Sequence, residues 1–441
     1  MSKTKAKKRA STADEVWTPK RAVIITVGGN ALPLNQLILS AREYALKAGV
    51  DQVYGVFRGY VGLMSVDFKR ARKERANYVN ITTGYPYSAR GGTFLRCYRG
   101  SPCRDSGRRD VDPKLASRLV GNLNHLKANI LIVIGGNGTA AATAKLDEYL
   151  RTTHKGKFLV IFLPRTIDND IGFKDEHGHT KEILCPGYPS AVSNVSRVAE
   201  DIIVEAEATE RIYLVQTQGR DSGWVAAAGA RGRAQHQLIP ECFEEVKTRD
   251  VVKLVETTRD QDGYAVVTVS EGLKKDPSKG SKKSNYLGQT GPGRAVRNTA
   301  DSIQDSFIKF GGPPPLPHKP SEARRDYVKV HHSDYDPRTG SPSRYDLQLA
   351  ELEASFVEKI IKECKGCKKG QVPDRTVPVL PLGKVVRWDD LGDHCFTRVR
   401  LDSLVSTNVP DGYLDKDNFR CNAAFRDLLY TITSGPERAG G

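Results

Sequence analysis

Residues 129–146 read NILIVIGGNGTAAATAKL, and residues 158–171 read FLVIFLPRTIDNDI. Each begins with an apolar run that shows no polar alternation, the pattern of a strand buried on both faces. The first run meets Gly135-Gly136 and passes into alanine-rich helical sequence; the second meets Pro164. Strand, glycine turn and helix make the repeating unit of α/β folds. Glycines at 135, 136 and 138 let backbone N–H groups approach phosphate oxygens, and a helix N-terminus adds partial positive charge. In the second stretch, Asp168 and Asp170 stand beside the hydroxyl of Thr166. Such a pair can take a proton from an alcohol and help hold a magnesium ion.

Working outward, the same grammar recurs. AVIITV (22–27) meets Gly28-Gly29, IYLVQ (212–216) precedes Gln218-Gly219, and AVVTVS (265–270) precedes Glu271-Gly272. Between them Val192, Val195, Val198, Ala199, Ile202, Ile203 and Ala206 fall at helical spacing and predict one apolar stripe. Strands alternating with helices predict an α/β fold of layered domains with mainly parallel sheets. In such sheets ligands gather beyond the carboxyl ends of the strands, where every one of these glycine turns lies.

The chain has 441 residues, of which 39% are hydrophobic and 27% charged, an ordinary globular balance. No apolar run approaches the roughly 20 residues of a membrane helix. MSKTKAKKRA at the N-terminus lacks the apolar region of a secretory signal, so no membrane partner and a cytoplasmic location are expected. Eight scattered cysteines fit reduced thiols rather than a disulfide scaffold. The lone Cys364-Lys-Gly-Cys367, with only His394 and Cys395 nearby, falls short of a zinc site. The net charge of +16 sits largely in residues 3–9 and 274–283, and a cleft for phosphorylated substrates also favours cations. Nucleic acid is therefore not an expected partner.

With these motifs in place the chain resembles the phosphofructokinase family. Gly28-Gly29-Asn30 with Asn35 is similar to its opening glycine loop, and GVFRGYVGL (55–63) to the segment that follows. Gly91-Gly-Thr-Phe-Leu95 with Arg99 is similar to the next nucleotide-side loop. GGNGT (135–139) stands where the family has GGDG(S/T), and TIDND (166–170) where it has its proton-abstracting motif. Glu210-Arg211 and Gln218-Gly219-Arg220 keep the family's arginine spacing, followed by Ser270-Glu271-Gly272 and Arg294-Ala-Val. The resemblance spans residues 22–310.

It implies a phosphofructokinase-like fold divided as follows. Residues 1–20 form a basic disordered tail, 21–165 a phosphoryl-donor domain and 166–273 a sugar-phosphate domain. Residues 274–286 form a basic loop, 287–310 a return segment completing the substrate site, 311–345 a proline-rich insertion and 346–441 a C-terminal region. Asp168 is implied as the general base on the 1-hydroxyl of fructose 6-phosphate, with Asp170 supporting it and the metal, and Thr166 near the transferred phosphoryl group. Gly28, Gly29, Arg99, Gly135, Gly136, Asn137, Gly138 and Thr139 are implied to hold the donor, ATP or pyrophosphate, with Mg2+ on Asn137 and Asp170. Gln218, Gly219, Arg220, Glu271 and Arg294 are implied on the sugar phosphate. Arg211 is implied to reach it from a neighbouring subunit, hence a homo-oligomer or an assembly with other subunits.

The departures from the family pattern fall on the donor side. Asn137 replaces an aspartate, and an amide brings no charge to a hard cation. Pro33 replaces a glycine and removes an N–H donor. Gln218 replaces a methionine. Gly138 resembles the ATP-using pattern, whereas Arg165 stands where pyrophosphate users and some ATP users carry lysine, able to enter the γ-phosphate space or pair with it. Two functions stay open: a 6-phosphofructokinase of glycolysis, favouring ATP, or a catalytically impaired relative serving as a binding or structural subunit.

Overall fold

A computed structural model describes residues 16–66, 68, 77–82, 90–103, 110–219, 221–242, 247–273, 299–311, 326–333, 335–368, 376–416 and 418–433. Of the tail expected over 1–20, residues 1–15 lie outside the described residues, as do the basic loop 274–286 and 312–325 of the proline-rich segment. Residues 16–20 are described, with Trp17 buried and its backbone N–H donating to the Cys367 carbonyl at 2.8 Å.

The first sheet contains β1 (Arg21–Thr26), β2 (Gln52–Val56), β3 (Tyr78–Asn80), β4 (Ile130–Gly135) and β5 (Leu159–Pro164) in the order β3-β2-β1-β4-β5. Every pair is parallel except β2 with β3. The uninterrupted apolar runs have a simple cause. Ile24, Ile132 and Ile161 pack into one core while Val23, Val133 and Phe162 pack into another on the opposite face. Both faces are buried, so no position along these strands can be polar without cost. Register sets Thr26 beside Ile134 and Gly135 beside Pro164, which brings the carboxyl ends of β1, β4 and β5 to one edge.

After the turn 166–170 the chain makes a hairpin, β6 (Ile171–Lys174) and β7 (Thr180–Leu184), and enters the helix Tyr188–Thr209. Its buried face includes Val192, Val195, Ala199, Ile202 and Ala206, the stripe read from spacing. A second sheet follows, entirely parallel, with β8 (Ile212–Thr217), β9 (His236–Leu238), β10 (Ala265–Ser270) and β11 (Val328–Ser333) in the order β11-β8-β10-β9.

The segment 311–345, read as a proline-rich insertion, contributes Val328–Ser333 as an edge strand of the second sheet, and a turn at 336–340 precedes the helix Arg344–Cys364. That helix packs on the helix Leu34–Lys47 over the first core. Then β12 (Thr376–Pro381), β13 (Thr397–Arg400) and β14 (Leu404–Ser406) return to the hairpin, building an antiparallel sheet ordered β13-β12-β7-β6-β14. β15 (Leu414–Asp415) pairs with β16 (Arg420–Cys421), and the helix Ala423–Thr433 packs Phe425 against the buried Trp224. None of the eight cysteines is in a disulfide. Among the described residues no helix is long and apolar enough to cross a membrane.

Candidate active site

Where β1, β4 and β5 end, the chain leaves a cleft of about 660 Å³. On its floor lies the turn 166–170. The Thr166 N–H donates to the Pro186 carbonyl at 3.2 Å. The Thr166 hydroxyl accepts the Asp168 N–H at 3.0 Å and donates to Asp170 Oδ1 at 3.2 Å. Between the two aspartates Asn169 takes a left-handed backbone, φ 48°, a conformation asparagine tolerates better than most residues. It turns inward, where its Oδ1 accepts the Cys185 N–H at 3.0 Å. That inversion puts both carboxylates on the cleft side. The Ser222 hydroxyl clamps the Asp168 carbonyl at 3.0 Å.

Burial pushes Asp168 above the ordinary carboxylate range, opposed by the charges of Arg338, Arg165 and Arg99. Its Oδ1 is buried without a hydrogen-bond partner. Asp170 is pushed up to about 6, first by burial and then by the charge of Asp168, against hydrogen bonds that include those from Thr166 and Asn137. The floor therefore holds an oxygen with unused capacity to accept a proton or a cation.

The wall opposite is the glycine loop. Gly135 cannot carry a side chain, because a Cβ would stand 2.6 Å from Thr139. The helix Asn137–His154 has no side-chain cap, and the first N–H groups of any helix have no partner within it. Asn137, Gly138 and Thr139 of that first turn line the cleft, the Thr139 N–H donating to the Gly136 carbonyl at 2.9 Å. Gly28, with φ 103°, turns the end of β1 into the same wall. Asn137 Nδ2 donates to the hydroxyl of Ser406 on β14.

Arg165 lines the cleft yet is only 4% exposed, and its Nη2 donates to the Gly29 carbonyl at 2.8 Å. Burial lowers its pKa to about 10. From the other side Arg338 Nη1 approaches so closely that a Cβ on Gly29 would meet it at 2.6 Å. Gly29 is thus held between two arginines.

Arg338 was missed because it sits in the segment read as a proline-rich insertion. Its backbone is pinned by Asn30 Nδ2 donating to the Arg338 carbonyl at 3.1 Å and by the Gly91 N–H donating to the Gly340 carbonyl at 3.1 Å. Arg338 Nε donates to Gln218 Oε1. The available signal was Asp336-Pro-Arg-Thr-Gly340, a tight-turn composition presenting one arginine. Asp221, at the cleft edge, was missed too.

On the sugar side, Gly219 (φ 118°) accepts the Ser270 hydroxyl at 2.5 Å, and the Glu271 N–H donates to the Thr217 carbonyl at 3.1 Å. Gln218, Gly219 and Glu271 therefore meet at the carboxyl ends of β8 and β10. Arg99 is an exposed cation on the cleft rim. Arg211 stands at the start of β8, the end remote from its own cleft. Arg220 and Arg294 lie outside the described residues.

A cation fits the floor in a particular way. Among the described residues no group of three or more His, Cys, Asp or Glu side chains converges to cage a metal. Asp168 with its free buried oxygen, Asp170 and the Asn137 amide offer an incomplete oxygen set, which suits magnesium completed by phosphates and water.

A sequence model described as phosphofructokinase matches residues 21–354. The ATP-dependent 6-phosphofructokinase of Macrococcus caseolyticus is 28% identical over 269 residues, covering 61% of this chain and 74% of that protein. The pyrophosphate–fructose 6-phosphate 1-phosphotransferase of Thermoproteus tenax is 28% identical over 284 residues, covering 64% and 73%. Among solved structures, the pyrophosphate-dependent phosphofructokinase of Marinobacter aquaeolei superposes with a TM-score of 0.66 at 17% identity, covering 94% of this chain and 92% of that one.

Proposed function

The chain belongs to the phosphofructokinase family, and from that premise we propose that it transfers a phosphoryl group, from ATP in preference to pyrophosphate, to the 1-hydroxyl of fructose 6-phosphate. The observation that carries this reading is the Asp168 carboxylate: on the cleft floor, one oxygen unpartnered, three arginine charges acting on it. In its ionised form it accepts the hydroxyl proton as the sugar oxygen bonds to the terminal phosphorus and the bond to the donor's leaving oxygen breaks. Phosphoryl transfer of this kind asks the protein mainly to position groups and neutralise charge.

Arg338, steered by Gln218, is the cation best placed between the two substrates, with Glu271 on the sugar side and Arg220 and Arg294 assigned there by motif. Arg211, remote from its own cleft, would serve a neighbouring subunit's, which makes a homo-oligomer part of the reading. The N–H groups of the 135–139 loop bind donor phosphates. Mg2+, held by Asp170, Asn137 and the donor itself, would supply positive charge to the transferring group. ATP is favoured because Gly138 leaves open space, with nothing within 4 Å of an added Cβ.

A coupled assay with fructose 6-phosphate, magnesium and either donor tests the reading. Turnover with ATP is expected, with the acid limb of kcat/KM above the usual carboxylate range because Asp168 must be ionised. No turnover with either donor, while fructose 6-phosphate still raises Tm, would overturn it in favour of a second reading. That reading, a sugar-phosphate-binding subunit without catalysis, is favoured by Asn137. Loss of one charge where the transition state is most negative is worth several kcal/mol, about a hundredfold in rate.

A further inference from the structure

Two segments far apart in the chain reach the backbone of the turn 166–170 from outside it. The Ser222 hydroxyl donates to the Asp168 carbonyl at 3.0 Å, and the Thr407 N–H donates to the Asp170 carbonyl at 3.0 Å. The two segments meet again on one atom. Glu241 Oε1 accepts the Gly223 N–H at 2.8 Å and the Val409 N–H at 3.0 Å. Gly223 follows Ser222 directly, and Val409 lies just beyond Thr407. A backbone N–H can only donate and a carbonyl can only accept, so the groups themselves settle the direction of every one of these bonds. Glu241 is presented by the short turn Pro240–Cys242 at the end of β9, closed by the Cys242 N–H on the Ile239 carbonyl at 3.1 Å. The fit leaves no room to spare: a Cβ on Gly223 would stand 2.4 Å from Ile239 Cβ and 2.5 Å from Glu241 Oε2.

We propose that Glu241 is a positioning residue for the catalytic turn: by holding Gly223 and Val409 on one oxygen, it fixes the two groups that clamp the carbonyls of Asp168 and Asp170. This rests on the reading of the cleft as a phosphoryl-transfer site. Glu241 stands outside the lining of the cleft, so it acts only through Ser222 and Thr407. The bonds of the Thr166 hydroxyl lie within the turn and give it its shape. The contacts with Cys185 and Pro186 tie it to the chain just beyond β7. The Glu241 tie differs in kind, because β9 belongs to the second sheet, whose strands β8 and β10 bring Gln218, Gly219 and Glu271 together at their carboxyl ends. It therefore links the turn to the sugar side and sets the distance from the Asp168 carboxylate to the acceptor hydroxyl. A misplacement of about 1 Å at reacting groups can cost on the order of a hundredfold in rate. The role demands an acceptor oxygen at the right reach, not a negative charge.

The test compares Glu241→Asp, which keeps the charge but withdraws the oxygen by one methylene, with Glu241→Gln, which keeps the oxygen and removes the charge. Both are made in the full chain and read by hydrogen–deuterium exchange and by steady-state kinetics with ATP and fructose 6-phosphate. Glu241→Asp is expected to speed exchange in peptides covering 166–171 and 404–409 about tenfold, as loss of a hydrogen bond does, and to leave β10 unchanged. It should lower kcat about tenfold or more with both KM values within about twofold, a split that a general loss of stability would not produce. Glu241→Gln should keep the exchange pattern and the kcat of the wild type. Ser222→Ala, a milder change that removes only the Asp168 arm, should speed exchange in 166–171 alone. Unchanged exchange at 166–171 in Glu241→Asp and Ser222→Ala, or an equal loss of kcat in Glu241→Gln and Glu241→Asp, would overturn the positioning role and leave the phosphoryl-transfer reading standing. A wild-type protein without turnover would overturn that reading, and the catalytic part of the role with it, whatever the exchange pattern.

Discussion

The turn 166–170 and the loop 135–139 face each other across one cleft and differ in how much of their support is local. The turn has an inner closure, the Thr166 hydroxyl bonding to its own neighbours 168 and 170 and Asn169 to Cys185, with the Ser222 hydroxyl and the Thr407 N–H added on the Asp168 and Asp170 carbonyls. The wall with the glycine loops has its side-chain supports from afar, Asn137 on Ser406 and Gly29 between Arg165 and Arg338. Asn137 and Gln218, two of the departures from the family pattern, each bond to a residue far along the chain, Ser406 and Arg338.

Four measurements break or sharpen this contrast. Asp168→Asn should lower kcat about a thousandfold, the usual span for losing a general base, with Tm retained; a loss under tenfold would remove Asp168 from the chemistry. Arg338→Ala should lower kcat/KM for fructose 6-phosphate by about a hundredfold, as loss of a charged hydrogen-bond donor. Arg338→Lys should recover only part of it, because lysine lacks the planar fork. If the donor's KM moved and the sugar's did not, Arg338 would belong wholly to the donor wall.

Asn137→Asp should raise kcat about tenfold at saturating magnesium. The gain should disappear at limiting magnesium, where a new carboxylate beside Asp170 only adds repulsion. An unchanged rate would sink the charge argument.

The smallest effect on turnover belongs to a carboxylate outside the cleft. Asp346 is buried and accepts the Gly187 N–H at 2.8 Å together with the Ser190 hydroxyl. Burial pushes it up to about 7, opposed by these hydrogen bonds. Its native pKa is above the unfolded one, so the folded state binds the extra proton, and this contribution to stability is lost as pH rises from about 4 through about 7. Glu353, buried and raised in the same direction, adds slope of the same sign. Asp346→Asn should therefore flatten the fall in unfolding free energy between pH 5 and 7 by on the order of 2 kcal/mol. Urea titrations at both pH values check it, with kcat little changed; an unaltered slope would show that Asp346 is ionised in the native state.

The stretch AVVTVS at 265–270 became β10 with the same limits, and the apolar stripe read from Val192 to Ala206 lies on the helix Tyr188–Thr209. Both rest on period and burial, which act over a few residues and are written locally in the chain. The catalytic turn was legible for the same reason, since Thr166, Asp168 and Asp170 are neighbours that complete one another. Arg338 was not legible: its partner Gln218 lies 120 positions away, and the turn carrying it reads locally as a connection. Ser406 had no local signal at all, being one serine in a short edge strand. By itself, then, the sequence determined the layered α/β architecture, the glycine turns at the strand ends and the paired carboxylates. Only the tertiary structure decided what braces the donor wall. Parallel strands and a returning C-terminal segment bring distant residues into register, and hydrogen bonds between them depend on that register rather than on anything encoded nearby.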